Sequence, residues 1–263
     1  MTRRLAALAA LLIASASAAG AQELPLPPRD ATAPTGSAFA AEIDGLSLDE
    51  RDARIAREIL SGNVPAHLRA LHPVAVDSVT FWAAPDYLAV GSDADYLLVP
   101  MRPETAQRIA DSLGMALPTP RMVDAIWAAA DLRLPPAPIA PGPEMTTVPV
   151  FLAHTRTVGE QRRQRGGLIA GHKKDVVVSR ALAERPGRVA IYGWHREDGT
   201  PIQPLYLGHT TDWMDYSHGV RLVSATVRAD GRLLPLAEAL RDPGLAPVLS
   251  HEGVIGTARY PRR

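Results

Sequence analysis

The chain predicts an α+β fold, with a helical and antiparallel N-terminal portion followed by a mostly β C-terminal portion. Three observations carry that reading. Helix start signals recur in the first half: Ser47-x-x-Glu50, Pro103 and Thr119-Pro120. Short β-branched and aromatic runs, broken by turn residues, dominate the second half. Asp198-Gly199 and Asp230-Gly231 are hairpin-type turns.

The elements follow in order. Residues 1–21 have the three parts of a secretory signal: Arg3 and Arg4, an apolar run over 5–13, and Ala19-Gly20-Ala21 as a small-x-small cleavage site. That run is shorter than the about 20 residues a bilayer requires, so no membrane span is expected and the mature chain reads as secreted or periplasmic. Residues 22–45, rich in Pro, Ala, Gly and Thr, read as a flexible leader. An N-terminal portion spans 46–130. Its capping box at Ser47 opens a helix with Leu48, Ala53, Ile55, Ile59 and Leu60 at helical spacing, and Gly62 just past its end. Strand-like runs at 74–82, 87–90 and 96–99, punctuated by Pro85-Asp86 and Gly91-Ser92-Asp93, suggest a small antiparallel meander. Helices are expected over 103–113 and 120–130.

Residues 131–149 hold prolines at 135, 136, 138, 141, 143 and 149. They read as a stiff connector or strap and as the preferred domain boundary. The C-terminal portion, 150–263, begins with a helix over 150–164. Strands follow at 176–179, 189–194, 205–209 and 219–227, then short helices at 236–240 and 245–249.

Composition excludes some functions. Removing residues 1–21 takes away two arginines from 28 basic residues and leaves 28 acidic ones, a net charge of −2. That balance argues against a nucleic-acid partner. The absence of cysteine excludes thiol nucleophiles, disulfides and Cys-type zinc sites. Lysine occurs at two positions, the adjacent Lys173 and Lys174, beside His172 and Asp175. A lysine, unlike an arginine, can give up its proton when buried.

Five of the eight histidines lie between 154 and 218: His154, His172, His195, His209 and His218. The last four fall at or beside ends of expected strands, where a rigid scaffold presents reactive groups. The densest segment is His209-Thr-Thr-Asp212-Trp-Met-Asp215-Tyr-Ser-His218-Gly219. If it turns, its groups converge in one of two ways. His209, His218 and Asp215 can hold zinc with an open position for water. Alternatively, Asp215 orients His218 as a general base. Ser217 is a candidate nucleophile, for which His172, His195 or His209 would be a better base than its neighbour His218. Lys173 or Lys174 can bind an anion or polarise a carbonyl, with Asp175 alongside.

Ser217-His218-Gly219-Val220-Arg221-Leu222, with His209 upstream, resembles the active-site segment of the L,D-transpeptidases. Those exported enzymes work on peptidoglycan peptides through a cysteine. The resemblance implies His209 as base and Arg221 as the substrate-orienting arginine, with Val220 where the nucleophile stands. The wider run from Tyr192-Gly-Trp-His195 through Pro201-Ile-Gln-Pro-Leu-Tyr206 to Gly219 is similar to a set of uncharacterised secreted microbial proteins, which implies no particular activity. The expectation is an exported hydrolase acting on peptidoglycan or another extracellular glycan. His209, His218 and Asp215 would form its centre, and His172, His195 and Arg221 would support them. The competing expectation is a non-catalytic envelope glycan- or peptide-binding module using Trp194, Trp213, Tyr206 and Tyr216.

Overall fold

The chain is ordered earlier than its composition suggests. The structure, a computed structural model, describes residues 22–162 and 166–260; the 1–21 export signal lies outside them. The segment 22–45, expected as a flexible leader, is packed. Leu24 is buried and Glu23 bridges Ala70. Thr35 caps helix α1, Gly36–Ile43, which buries Phe39, Ala40 and Ile43. The Arg29 guanidinium ties the approach by donating to Asn63 Oδ1 (2.8 Å) and the Ala33 carbonyl (2.7 Å). Such docking by scattered side chains leaves no periodic trace in sequence.

Helix α2, Leu48–Leu60, starts on the expected capping box, with Ser47 and Glu50 satisfying each other's backbone N–H groups. The run at 74–82 is not one strand but a hairpin of β1, His72–Val76, and β2, Val79–Ala83. The turn between them places Asp77 at φ 48°, a conformation Asp tolerates better than most residues. Strands β3, Ala89–Gly91, and β4, Tyr96–Leu98, form a separate two-stranded sheet, so the expected single meander is two pieces. Helix α3, Pro103–Ser112, is followed by strand β5, Met115–Ala116, and helix α4, Pro120–Ala129. The Thr119 hydroxyl accepts from the Met122 N–H at 3.2 Å, as its position predicts.

Strand β6, Leu132–Arg133, and helix α5, Val148–Gln161, bracket the prolines. Then come β7, Ile169–Ala170; β8, Lys174–Val176; β9, Ile191–His195; and β10, Pro201–Tyr206. The expected strand at 219–227 is three short ones: β11, His218–Gly219; β12, Val223–Ser224; and β13, Thr226–Ala229. Strand β14, Arg232–Pro235, and helices α6, Leu236–Ala239, and α7, Ala246–Leu249, complete the chain.

The proline-rich segment is a strap and not a boundary. Strand β6 pairs with β7, the Ile139 N–H donates to the Tyr216 hydroxyl (2.8 Å), and the Tyr216 N–H donates to the Met145 carbonyl (2.9 Å). A six-stranded sheet in the order β14-β13-β2-β12-β5, with β1 on β2, takes strands from both sides of the strap. The four-stranded sheet β10-β9-β8-β11 is antiparallel except between β8 and β11. The largest apolar core joins α1, α2, α3 and α5 to β8, β9 and Val220. Among the described residues no helix is long and apolar enough to cross a membrane.

Candidate active site

Parallel pairing of β11 with β8 sets His218 opposite Lys174 and Gly219 opposite Asp175. The close approach depends on Gly219, because a Cβ there would lie 2.5 Å from the Tyr87 ring. On the other side of β8, β9 carries Trp194 at φ 57°, an unusual conformation for a bulky residue. The distortion splits neighbouring side chains. Trp194 lies under Lys174, with Nζ 5.0 Å from the ring centroid, and against Tyr216. His195 stacks on Trp127.

The loop from β10 to β11 brings the expected centre together. The His209 and His218 ring centroids are 6.2 Å apart, and His218 Nε2 is 3.7 Å from Asp215 Oδ2. His209 is sandwiched by neighbours. Trp213 stacks on it at 5.1 Å with 14° between the planes, and Tyr206 meets it edge-on at 5.2 Å. His209, Trp213 and Lys174 are half-buried, and Tyr206 is exposed, whereas His218 and Asp215 are closed off from solvent. Only the outer end of this chain of groups meets water.

Burial, reinforced by Lys174 and opposed by Asp215, lowers the His209 pKa below its ordinary 6.5. His209 is therefore a neutral imidazole at pH 7. Burial drives His218 down to about 4, against the pull of Asp215. Burial alone would raise Asp215, but His218, the Ser217 hydroxyl and Lys174 outweigh it and hold the carboxyl at about 2. Since His218 is neutral at pH 7, the holding there falls to Ser217 and Lys174. Asp215 accepts from the Ser217 N–H (2.8 Å) and hydroxyl (2.5 Å) on one oxygen and from Trp213 Nε1 (3.2 Å) on the other.

Those bonds correct two expectations. Ser217 is fully buried with its hydroxyl committed to Asp215, a local turn contact and not a nucleophile. The zinc site of His209, His218 and Asp215 is not formed. No group of three or more His, Asp or Glu among the described residues is placed to hold a metal, and both Asp215 oxygens accept hydrogen bonds from within the loop.

The remaining candidates are buried and paired within the scaffold. Lys173 is buried, its Nζ donates to the Tyr216 carbonyl, and burial lowers its pKa to about 7 against the opposing Asp215 and Asp86. His172 is fully buried 3.1 Å from Asp86, whose other oxygen pairs with Arg162. Burial favours a neutral Asp86 and leaves His172 itself uncharged at pH 7, so the Arg162 and Arg221 guanidinium groups keep Asp86 ionised there. Asp175 accepts from the Tyr87 hydroxyl at 2.7 Å, and burial raises its pKa to about 6 despite Arg221 and Tyr87. Arg221, expected to orient substrate, instead donates to the Ala84 (2.7 Å) and Ile169 (2.6 Å) carbonyls and covers the Tyr87 ring. Val220, at the transpeptidase cysteine position, is buried in the core.

His195 points to the other side, where its Nε2 is 2.9 Å from Asp124 Oδ1. Asp124 also meets His251 Nε2 at 2.7 Å and accepts from the Tyr192 hydroxyl at 2.8 Å. Sequence reasoning missed Asp124, His251, Asp86 and Tyr87, each paired across dozens of residues. His154 is buried against Tyr216, and burial, with Lys173 and His172, lowers its pKa to about 2.

Comparison with known protein families, curated proteins and solved structures gave no match.

Proposed function

We propose that this chain is an exported hydrolase that cleaves acyl bonds, amide or ester, in peptidoglycan or another extracellular polymer, with His209 as the base. The observation that carries the reading is the position of His209. It is a neutral imidazole at the solvent edge, held between Trp213 and Tyr206 and backed by His218 and Asp215. In this reading His209 takes a proton from water as the water oxygen bonds to the carbonyl carbon. The displaced electron pair collects on the carbonyl oxygen, toward Lys174. Collapse breaks the acyl bond, and the leaving nitrogen or oxygen receives the proton from His209. His218 is a positioning residue that dries and steadies the base. Glycoside hydrolysis fits less well, because it needs two working carboxylates and Asp215 is buried and fully engaged. The segment at 1–21 supports export.

The test is release of soluble fragments and new carboxyl groups, with amines or hydroxyls as the leaving partner, from isolated envelope material. His209→Ala should lower turnover about 100-fold or more, and His218→Ala should lower it less. Full turnover in His209→Ala would end the reading. The second reading, a binding module, is favoured by the near-parallel stack of His209 on Trp213 beside the exposed Tyr206. Retention on the polymer that is lost in Trp213→Ala, with no turnover in the unsubstituted protein, would select it.

A further inference from the structure

Away from the histidine cluster, the 180–188 loop and the 255–260 segment face each other across a cavity of about 660 Å³. That volume suits a small organic ligand. Its charge is one-sided for a chain whose acids and bases otherwise balance. Arg180, Arg185, Arg188 and Arg259 line it, against a single carboxylate from Glu104. Two of the four are already engaged: Arg259 with Asp111, and Arg188 with the Gly208 carbonyl (2.8 Å). The guanidinium groups of Arg180 and Arg185 make no hydrogen bond or ion pair among the described residues. Beneath the cations, Leu182, Ile255 and Tyr260 supply an apolar wall, and Tyr260 is fully buried and anchored by its hydroxyl to the Val177 carbonyl at 2.8 Å. A guanidinium fork matches a planar or tetrahedral oxyanion in two-pronged fashion.

We propose that this cavity binds an organic anion, an oxyanion group on an apolar body, with Arg180 and Arg185 gripping the charge and the Leu182–Ile255 wall covering the body. The site stands apart from the hydrolase reading and holds whether or not His209 turns over a substrate. The two regions do share a loop. Thr211, which lines the cavity, donates its N–H to the Gly187 carbonyl (3.1 Å), and the Val189 N–H donates to the His209 carbonyl (3.2 Å). A bound anion would therefore rest against the segment that presents His209.

The test is calorimetric titration of the purified protein with four probes: octanoate, octyl phosphate, octanol and acetate. Octanoate or octyl phosphate should saturate a single site, and whichever of the two binds more tightly identifies the anion as carboxylate or phosphate. Octanol, lacking charge, and acetate, lacking a body, should each bind at least about tenfold more weakly. The double substitution Arg180→Ala/Arg185→Ala touches two exposed side chains, so it should leave the circular dichroism spectrum unchanged and weaken the preferred anion by at least about tenfold. Equal binding of octanol and the anions, undiminished anion binding by the double variant, or no saturation by either anion up to about 10 mM would overturn the proposal.

Discussion

Replacing Lys173 by methionine should remove a pH dependence that the buried amine imposes on stability. Lys173 is almost completely enclosed, and burial lowers its pKa from 10.5 to about 7. In the unfolded chain the amine keeps its proton up to about pH 10.4. Between pH 7 and that value the unfolded state therefore binds more protons than the folded state, and stability rises with pH. At about 1.4 kcal/mol for each pH unit, Lys173 contributes a rise of roughly 3–5 kcal/mol between pH 7 and pH 10. Methionine keeps an unbranched apolar chain, one atom shorter and without the charge, so Lys173→Met should lack that rise. It also leaves the Tyr216 carbonyl without its Nζ donor, a loss of about 1–3 kcal/mol that does not vary with pH. The assay is urea unfolding of both proteins at pH 7, 8, 9 and 10, followed by far-UV circular dichroism, with slopes compared to confirm that the same surface unfolds. Parallel stability curves across this range would refute the reasoning.

Other consequences follow from the same contacts. Gly219→Ala would drive a methyl into the buried Tyr87 ring and disturb its bond to Asp175, at a cost of about 2–4 kcal/mol in unfolding free energy; a loss below 1 kcal/mol would show that the ring yields freely. The depressed Asp215 pKa, 3.8 to about 2, contributes stability that is present above pH 3.8 and fades as pH falls through 2. Asp215→Asn should therefore lose about 2 kcal/mol less than the parent protein between pH 5 and pH 2, as read by denaturant unfolding.

Local chemistry was legible and long-range chemistry was not. Ser47, Thr119 and Pro103 announce their helices because capping is settled within four residues. The β1–β2 hairpin was hidden because Asp77-Ser78 sits inside a continuous Val/Thr/Phe run, and only its positive φ shows the reversal. Proline content marks 131–149 as a stiff strap or boundary without choosing between them, because sheet partnership across it is a tertiary fact. At the site, the convergence of His209, His218 and Asp215 was readable as a spacing that a turn would close. The fate of His195 was not, because the left-handed Trp194 ahead of it decides which side each ring takes. Nor could spacing show that Arg221 and Asp175 would be consumed by Tyr87 and two backbone carbonyls.

The pH dependence of kcat/KM for hydrolysis of envelope polymer, measured for the unsubstituted protein and for Lys174→Ala, bears most directly on His209 as the base. Activity should rise along an acid limb centred below pH 6.5, because neutral His209 is the working form. Removing the Lys174 ammonium, which helps to keep His209 unprotonated, should move that limb to higher pH. A limb that does not move, or that survives in His209→Ala, would contradict the assignment.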